Sequence, residues 1–459
     1  MSYLNPKSRS LRPYQIILLL AAGAAVGLSA AFLLLSPRVI AVSPDADRRT
    51  GSFAAIEIRF SVPMGSDCTA THFSVEPAVE GALAIQGDTL RFSPRDPWPS
   101  GVTVRASIQP GACSERGLPL LAGRTWSFAP SLVRIAYIPT GESGGRLMVV
   151  AIDGGDAVEL AQSPSPIQNF DVSPRGDFAV LSTGLTNGPG KLWITPLDGQ
   201  SAELLLDCGA DSCRDPAVSP DSTLVAYVRE RVATDTAHAP FVELLTIAGG
   251  RVRMVSPAGH AAGNPIWSAQ GWLSYYDETR LVTVVDDLAG GQTAVPNIAG
   301  TSWAWLPDGS GVIFPEILIE DESESETTSP RIFSHLIRVD LKTNERKDLS
   351  GTDLLEDGSP AVSPDGRWLA FSRNFFDNRW TPGRQLWIMD LEDFSVRQIT
   401  RTPDYSHTSI HWSRDGLRIV FMLFHETVPD DPPEIWCLNA DGSDPRRLAV
   451  GGFLPQWLP

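Results

Sequence analysis

The sequence predicts an all-β protein: a seven-bladed β-propeller preceded by a β-sandwich and one transmembrane helix. Three observations support this prediction. A unit of about 47 residues recurs through the last two thirds of the chain, short alternating strands fill residues 38–130, and one long apolar run lies near the N-terminus. We expect the propeller to span residues 131–459.

The repeat consists of a strand, a Ser-Pro-Asp-Gly-like turn and an apolar strand, followed by a variable loop and two further strands. A stretch such as Ala361-Val362-Ser363-Pro364-Asp365-Gly366 leads into Trp368-Leu369-Ala370-Phe371. Asp and Gly favour the tight reversal, so a structural role for these Asp residues is preferred over metal binding. Equivalent first-strand positions are Val172, Val218, Trp267, Trp305, Val362, Trp412 and Trp457.

The two ends of the repeat region complete one further blade. Pro455-Gln456-Trp457 is a first strand without a continuation, and Arg134 to Ile138 is a second strand without a predecessor. We therefore expect the C-terminal strand to close a ring of seven blades. Six blades are the alternative if the unit near Trp267 is irregular.

Residues 38–130 alternate with a period of two, with Ile56, Ile58 and Phe60 on one face and Glu57 and Arg59 on the other. This period is typical of strands that are buried on one face. Roughly seven such segments in about ninety residues predict a β-sandwich.

The N-terminus predicts a membrane anchor. Residues 1–13 carry Lys7, Arg9 and Arg12 and no acid, and residues 14–36 form an almost unbroken apolar run, long enough to span a bilayer. The positive charges place residues 1–13 in the cytoplasm and the rest outside the cell membrane, as a single-pass protein. A cleaved signal peptide is the alternative.

The formal net charge of −17 disfavours nucleic-acid binding, which requires a basic surface. In an oxidising compartment, the pairs Cys68/Cys113 and Cys208/Cys213 could form disulfides, which leaves Cys437 as a buried strand residue. Metal binding is less favoured because no pair has C-x-x-C spacing.

Two resemblances extend this interpretation. Residues 38–130 resemble bacterial Ig-like domains of surface-layer type, through Phe60-Ser61-Val62-Pro63-Met64, Leu90-Arg91-Phe92-Ser93-Pro94 and Trp126-Ser127-Phe128. The repeats resemble TolB-type, WD-repeat-like propellers, whose hallmark is the Trp-Ser-Pro-Asp-Gly turn. The first resemblance implies a spacer or adhesion module. The second implies a scaffold, a receptor for partner proteins or the noncatalytic part of an enzyme.

Binding groups are expected on the long loops, which lie at the end of the ring opposite the Ser-Pro-Asp-Gly turns. The candidate partner-binding residues are Phe375, Phe376, Asp377, Arg379 and Trp380, because aromatic residues beside Arg are typical of interface hot spots. The alternative is that Phe375 and Phe376 pack beneath the loop. Glu320 to Ser329 is acidic and predicted to be a solvated loop. The long loops are Gly141 to Arg146, Arg229 to Pro240, Glu316 to Ile332, Arg373 to Gln385 and Leu423 to Glu434.

No catalytic site or cofactor site is expected. Gly141-Glu142-Ser143-Gly144-Gly145 matches a nucleophile-elbow pattern, but it joins two propeller strands and no helix pattern follows. His407, His411 and His425 lack the spacing of a metal motif. We expect a membrane-anchored extracytoplasmic binding or scaffold protein for a protein or envelope glycan. The alternative is a propeller enzyme, a lyase or hydrolase, that acts on envelope polymers.

Overall fold

The computed structural model describes residues 23, 27, 32, 35–44, 54–95, 98, 102–129, 133–141, 145–185, 188–197, 201–231, 239–301, 303–320 and 331–458. The chain divides into two compact units, Met1–Ser131 and Leu132–Pro459. Strands dominate both units, and the predicted all-β class is confirmed.

The first unit contains two antiparallel sheets on one hydrophobic core. One sheet has the order β1-β2-β5-β4 and the other β3-β6-β7. Ile56, Ile58 and Phe60 are fully buried in this core, as their alternation predicts. A short helix, α1 (Ser66–Ala70), precedes β3. The strands are β1 (Val39–Ser43), β2 (Ile56–Phe60), β3 (Phe73–Glu76), β4 (Gly81–Gln86), β5 (Thr89–Pro94), β6 (Val104–Ile108) and β7 (Arg124–Phe128).

The predicted transmembrane segment, residues 14–36, lies almost entirely outside the described residues, apart from Gly23, Gly27, Phe32, Leu35 and Ser36. Among the residues that the structure describes, no helix has both the length and the apolar character needed to cross a membrane.

The second unit is a β-propeller. Its strands are β8 (Arg134–Pro139), β9 (Arg146–Ala151), β10 (Val158–Gln162), β11 (Ile167–Val172), β12 (Phe178–Gly184), β13 (Gly190–Pro196), β14 (Glu203–Asp207), β15 (Ser212–Val218), β16 (Leu224–Glu230), β17 (Phe241–Thr246), β18 (Val252–Met254), β19 (Ala262–Trp267), β20 (Leu273–Asp277), β21 (Val282–Asp286), β22 (Gln292–Pro296), β23 (Ala304–Trp305), β24 (Gly311–Glu320), β25 (Arg331–Asp340), β26 (Arg346–Asp348), β27 (Leu355–Val362), β28 (Trp368–Phe375), β29 (Gln385–Asp390), β30 (Val396–Gln398), β31 (Tyr405–Trp412), β32 (Arg418–His425), β33 (Glu434–Asn439), β34 (Arg446–Val450) and β35 (Gly452–Leu458).

Within the described residues, these strands form four-stranded antiparallel units that we call blades and number from the N-terminus. Blade 1 contains β35, β8, β9 and β10, and blades 2 to 7 contain β11–β14, β15–β18, β19–β22, β23–β26, β27–β30 and β31–β34. The unit around Trp267 has four strands, β19 to β22. Blades 5 and 6 join into one sheet through a parallel contact between Ser334 and Glu356.

The C-terminal strand is the innermost strand of blade 1. In this position β35 pairs with β8, with Trp457 opposite Ile135 and Gly452 opposite Pro139. The two ends of the second unit therefore share one blade, and the ring is held closed by backbone hydrogen bonds.

Hydrophobic clusters between neighbouring blades form the core of the propeller. Between blades 6 and 7, for example, Ala370 and Ile388 of one sheet pack against Ile419 and Phe421 of the other. Because both faces of each blade are covered, the middle strands contain unbroken apolar runs, such as Trp368–Phe371 in β28 and Ile419–Phe424 in β32. The recurring Ser of the turns is buried as well, and the Ser363 hydroxyl accepts a 2.8 Å bond from the Trp368 amide.

One predicted loop is wrong. Glu316 to Ile332 was expected to be a variable loop, but β24 runs to Glu320 and β25 begins at Arg331, so that both strands have ten residues. The β-branched pair Ile319 and Ile332 lies in register within this long hairpin. The nearby acidic residues had favoured a solvated loop, yet alternating Ile residues are equally typical of a strand.

Candidate functional site

The Asp residues of the Ser-Pro-Asp-Gly turns form hydrogen bonds within their own turns. The hydroxyls of Ser219, Ser363 and Ser413 donate to Asp221, Asp365 and Asp415, and each carboxylate also accepts a backbone amide of the turn. These carboxylates therefore stabilise the reversals, as the sequence suggested. The candidate functional residues lie instead in the channel and at the long-loop end of the propeller.

Side chains of the innermost strands connect neighbouring blades. Trp267 donates from Nε1 to the carbonyl of Ala217 at 2.9 Å, and Trp457 donates to that of His411 at 3.0 Å. The Asp171 carboxylate accepts the Val218 amide of the next blade at 2.7 Å. These hydrogen bonds give the channel wall a fixed geometry.

The channel encloses a cavity of about 1290 Å³, lined by the innermost strands of all seven blades. One layer of its wall contains the residue that precedes each first-strand position: Asp171, Ala217, Ile266, Ala304, Ala361, His411 and Gln456. Its polar members come from blades 7, 1 and 2, which are contiguous in the ring, and its apolar members come from blades 3 to 6. The layer thus has a polar wall facing an apolar wall.

The titratable groups of this polar wall have shifted pKa values. Burial raises the pKa of Asp171 to about 7, although the Val172 and Val218 amides, which bond to its carboxylate, act in the opposite direction. The His411 ring faces the open channel, but the surrounding protein still lowers its pKa to about 4. At neutral pH, His411 is therefore an uncharged imidazole.

In a second layer of the channel, five of the six described members lie in β-bulges, and Asn169 lies one residue after the bulge of β11. The members of this layer in six of the seven blades are Asn169, Asp215, Asn264, Ser359, Ser409 and Leu454, and the equivalent residue of blade 5 lies outside the described residues. Five of the six have positive φ, from 48° to 53°. A bulge re-aims the strand, and four of the bulges place the polar residues Asp215, Asn264, Ser359 and Ser409 in the channel wall.

The bulge layer was not predicted, although the sequence carries a signal for it. Pro follows the bulge residue in four blades, as Pro216, Pro265, Pro360 and Pro455. Proline within a strand pattern is typical of bulges and of edge strands, and the innermost strand of a blade is an edge strand.

The charged groups near the channel form ion pairs. Asp215 binds Arg214 at 2.5 Å and accepts a 3.1 Å hydrogen bond from Asn169. Glu356 binds Arg384 at 2.7 Å. The Asp357 carboxylate, whose pKa is raised by burial, forms a bidentate pair with Arg373 at 2.6 Å and accepts the Ser350 hydroxyl. These carboxylates are held by neighbouring side chains.

At the long-loop end, the structure divides the predicted binding residues into two groups. Phe375 is buried at the end of β28, where its ring packs edge-on against Trp387 at 5.8 Å. Phe376 and Trp380 are exposed, at 46% and 56% of their surface. The alternative that both Phe residues pack beneath the loop therefore holds for Phe375 alone.

Arg379 and Asp377 support the loop. The guanidinium of Arg379 lies 3.7 Å from the centre of the Phe375 ring and bridges Asp377 and Asp353. These two carboxylates hold the pKa of Arg379 above its usual range. The bridge ties the loop to the segment that precedes β27, so that the two exposed aromatic side chains project from a braced turn.

Asn374 closes the base of the same loop. Its Oδ1 accepts the Phe375 amide at 2.9 Å and the Thr381 amide at 3.2 Å, and its Nδ2 donates to the Thr381 carbonyl at 2.8 Å. The Phe376 amide donates to the Leu354 carbonyl at 3.1 Å. These bonds fix the backbone of the loop that carries Phe376 and Trp380.

Three exposed apolar side chains belong to the long hairpin β24–β25 of blade 5. Blade 5 neighbours blade 6, whose loop carries Phe376 and Trp380. Ile317, Ile319 and Ile332 are exposed at 45%, 64% and 60%. Ser334, Glu356 and Asn374 form one row across β25, β27 and β28, which places Ser334 roughly 10 Å from Asn374. Ile332 and Phe376 each lie two residues further out. We call Ile317, Ile319, Ile332, Phe376 and Trp380 the apolar rim.

Several residues considered in the sequence have other placements. His407 is a buried residue of β31 in blade 7, and its Nδ1 bonds to the Arg384 carbonyl of blade 6 at 2.8 Å. Ser143 and the acidic residues 321–329 lie outside the described residues. The structure pairs Cys68 with Cys113 and Cys208 with Cys213, and Cys437 is buried. Among the described residues, no group of three or more His, Cys, Asp or Glu side chains could hold a metal ion.

Comparison with known proteins gives matches of limited extent. No family model matches the chain. The "Uncharacterized peptidase YuxL" of Bacillus subtilis is 26% identical over 174 residues, which are 36% of this chain and 22% of that protein. The chain thus spans about a fifth of the length of this curated relative.

Among solved structures, TolB from Acinetobacter baumannii is similar with a TM-score of 0.43 and 14% identity, over 84% of this chain and 83% of that one. The oligogalacturonate lyase of Vibrio parahaemolyticus has a TM-score of 0.47 and 11% identity, over 66% and 90%. At these TM-scores the likenesses carry no argument about function. The propeller assignment depends on the strand order of this chain.

Proposed function

We propose that the chain is a membrane-anchored, extracytoplasmic binding or scaffold protein, and that its seven-bladed, TolB-type propeller binds a partner protein through the apolar rim. One observation carries this proposal. Three exposed Ile side chains of the long hairpin and two exposed aromatic side chains of the loop after β28 lie on neighbouring blades, and that loop is braced by Asn374 and Arg379. Rigid aromatic anchors beside Arg have the composition of interface hot spots.

The polar surroundings of the rim support a protein partner. Asp353 and Asp377 share the single guanidinium of Arg379, which leaves one net negative charge beside Phe376 and Trp380. The whole chain carries a net charge of −17. A partner surface with apolar and basic side chains would match both properties. In this proposal the Ig-like sandwich serves as a spacer and residues 14–36 serve as the anchor.

Crosslinking on intact membranes tests this function. We would compare the wild-type protein with a Phe376→Ser, Trp380→Ser variant, which changes two exposed rim residues. Leu204→Ser together with Met254→Ser is the matched control, because these residues are 49% and 45% exposed on outer strands of blades 2 and 3.

We expect a crosslinked partner protein that is lost in the rim variant and retained in the control. A partner that is lost equally from both variants would indicate general surface adhesion and would contradict the proposal. Binding to isolated envelope glycan, with no crosslinked protein, would assign the same rim to a polysaccharide.

A propeller enzyme remains the second candidate, and one observation favours it. Asp171 lines the channel with a pKa raised to about 7, which is suitable for proton exchange at neutral pH. Its carboxylate already accepts the Val172 and Val218 amides, however, and these bonds account for its position between two blades. Turnover of an envelope polymer that is abolished by Asp171→Asn and retained by the rim variant would favour the enzyme.

A further inference from the structure

The long hairpin of blade 5 has an unpaired edge. Both β24 and β25 have ten residues, whereas the innermost strand β23 has two and pairs only with Val312 and Ile313 of β24. Beyond Pro315, no described strand pairs with the inner edge of β24. This edge borders the channel, whose lining includes Ile317.

Two hydrogen bonds establish which backbone groups face this edge. The Leu336 amide donates to Ser350 Oγ and its carbonyl accepts the Leu349 amide, so both groups point away from β24. Pro315, which lies opposite Leu336, therefore directs its carbonyl to the inner edge, where it accepts a 2.8 Å bond from the Thr301 hydroxyl. Because backbone groups alternate along a strand, the amides and carbonyls of Ile317 and Ile319 face the same edge.

The side chains around this edge define what could bind there. Ile317, Ile319 and Ile332 share one exposed apolar face of the hairpin. On the other face, the Glu316 carboxylate is neutralised by Arg346 at 2.6 Å, beside partly buried Leu318. A strand added to β24 would place alternate side chains against the apolar face, as in other cases of β-strand addition.

Charge distinguishes between possible occupants. A second copy of this chain would bring together two molecules of net charge −17. The sequence between β24 and β25, residues 321–330, contains four acidic residues and no basic residue. Like charges oppose self-pairing of an exposed edge strand, and opposite charges favour a basic partner.

We propose that the inner edge of β24 at residues 317–319 binds an extended segment of a partner polypeptide as an added β-strand, in which apolar residues alternate with basic ones. This inference rests on the proposed binding function and specifies the chemistry of its partner. The added strand would form backbone hydrogen bonds to Ile317 and Ile319 and place its apolar side chains on the apolar rim.

A synthetic nine-residue peptide of alternating Val and Lys, with blocked ends, is the probe. The control peptide has the same sequence with an N-methyl group on every backbone amide, which removes the donors of both edges and keeps the charge. We expect the unmodified peptide to protect the Ile317 and Ile319 amides from hydrogen exchange. The affinity of the N-methylated peptide should be lower by a factor of roughly ten or more. Equal binding of the two peptides, or no binding of either, would overturn the proposal.

Variants of the protein give a second test. Ile317→Pro removes an amide that faces the open edge and leaves the β24–β25 hydrogen bonds intact, whereas Ile317→Val keeps that amide and a β-branched side chain. We expect roughly tenfold weaker peptide binding for Ile317→Pro and nearly unchanged binding for Ile317→Val. Equal affinities of the two variants would contradict strand addition.

The crosslinking experiment separates this inference from the proposed function. If the membrane partner is lost in Phe376→Ser, Trp380→Ser but is retained at full affinity in Ile317→Pro, the binding function stands and strand addition fails. If the partner binds all rim variants as tightly as it binds the wild type, the proposed function itself fails.

Discussion

The indole Nε1 of Trp412 donates a 2.9 Å hydrogen bond to the carbonyl of Ala361, which belongs to the neighbouring blade. Trp267 and Trp457 form the same bond to Ala217 and His411. The Trp at the first-strand position therefore links each of these innermost strands to the one before it. At the interfaces of blade 2 with blades 1 and 3, Gln456 and Asp171 form comparable bonds to backbone groups.

Substituting Trp412 by Phe should lower the free energy of unfolding by about 1–2 kcal/mol, because the Ala361 carbonyl loses its partner while most of the apolar contact remains. Urea unfolding at pH 7.5 measures the change. Trp380→Phe is the control, since this indole is 56% exposed, and its effect should stay within about 0.5 kcal/mol. Equal losses in both variants would show that the inter-blade bond is not the cause.

Recurrence of Trp was visible in the sequence, but its acceptor was not, because Ala361 precedes Trp412 by about one repeat and has no side-chain signal of its own. The same limit applies to the long hairpin. The spacing of Ile317, Ile319 and Ile332 was compatible with strands, and the acidic residues beside them favoured the wrong interpretation. Local pattern predicts strands and turns, whereas contacts between blades depend on the closed ring.

Phe375 and Trp380 should respond in opposite ways to truncation. Phe375→Ala should destabilise the propeller by about 3 kcal/mol, because its buried ring contacts Trp387 and the guanidinium of Arg379. Trp380→Ala should change stability by less than about 0.5 kcal/mol. Thermal unfolding of both variants checks this difference. A large loss of stability in Trp380→Ala would mean that this side chain supports the fold and is unsuitable as a binding probe.

Acid should destabilise the propeller through His407. Burial lowers its pKa to about 4, below the value of about 6.5 expected in the unfolded chain. The unfolded state therefore binds more protons between these values, and stability is lost as pH falls from about 6.5 to 4, by up to about 3 kcal/mol. Urea unfolding at several pH values should show that the free energy of unfolding falls less steeply with decreasing pH in His407→Gln than in wild type. Identical slopes would contradict this assignment.

The two disulfides should contribute unequally. Cys68 and Cys113 are 45 residues apart, whereas Cys208 and Cys213 are 5 apart. Loop-closure entropy then predicts about 4 kcal/mol for the first and about 2 kcal/mol for the second. Calorimetry of Cys68→Ser, Cys113→Ser and of Cys208→Ser, Cys213→Ser would measure both. A larger loss in the second variant would show that packing around the buried Cys208 and Cys213 outweighs chain entropy.

Binding of a partner protein by the apolar rim is tested most directly by the affinity of the crosslinked partner, once purified, for three forms of this protein: wild type, the Phe376→Ser, Trp380→Ser variant, and the Leu204→Ser, Met254→Ser control. Loss of Phe376 and Trp380 should weaken binding by roughly thirtyfold or more, as expected of hot-spot residues. The Leu204→Ser, Met254→Ser control should bind like wild type. Equal affinities of all three forms would contradict the account.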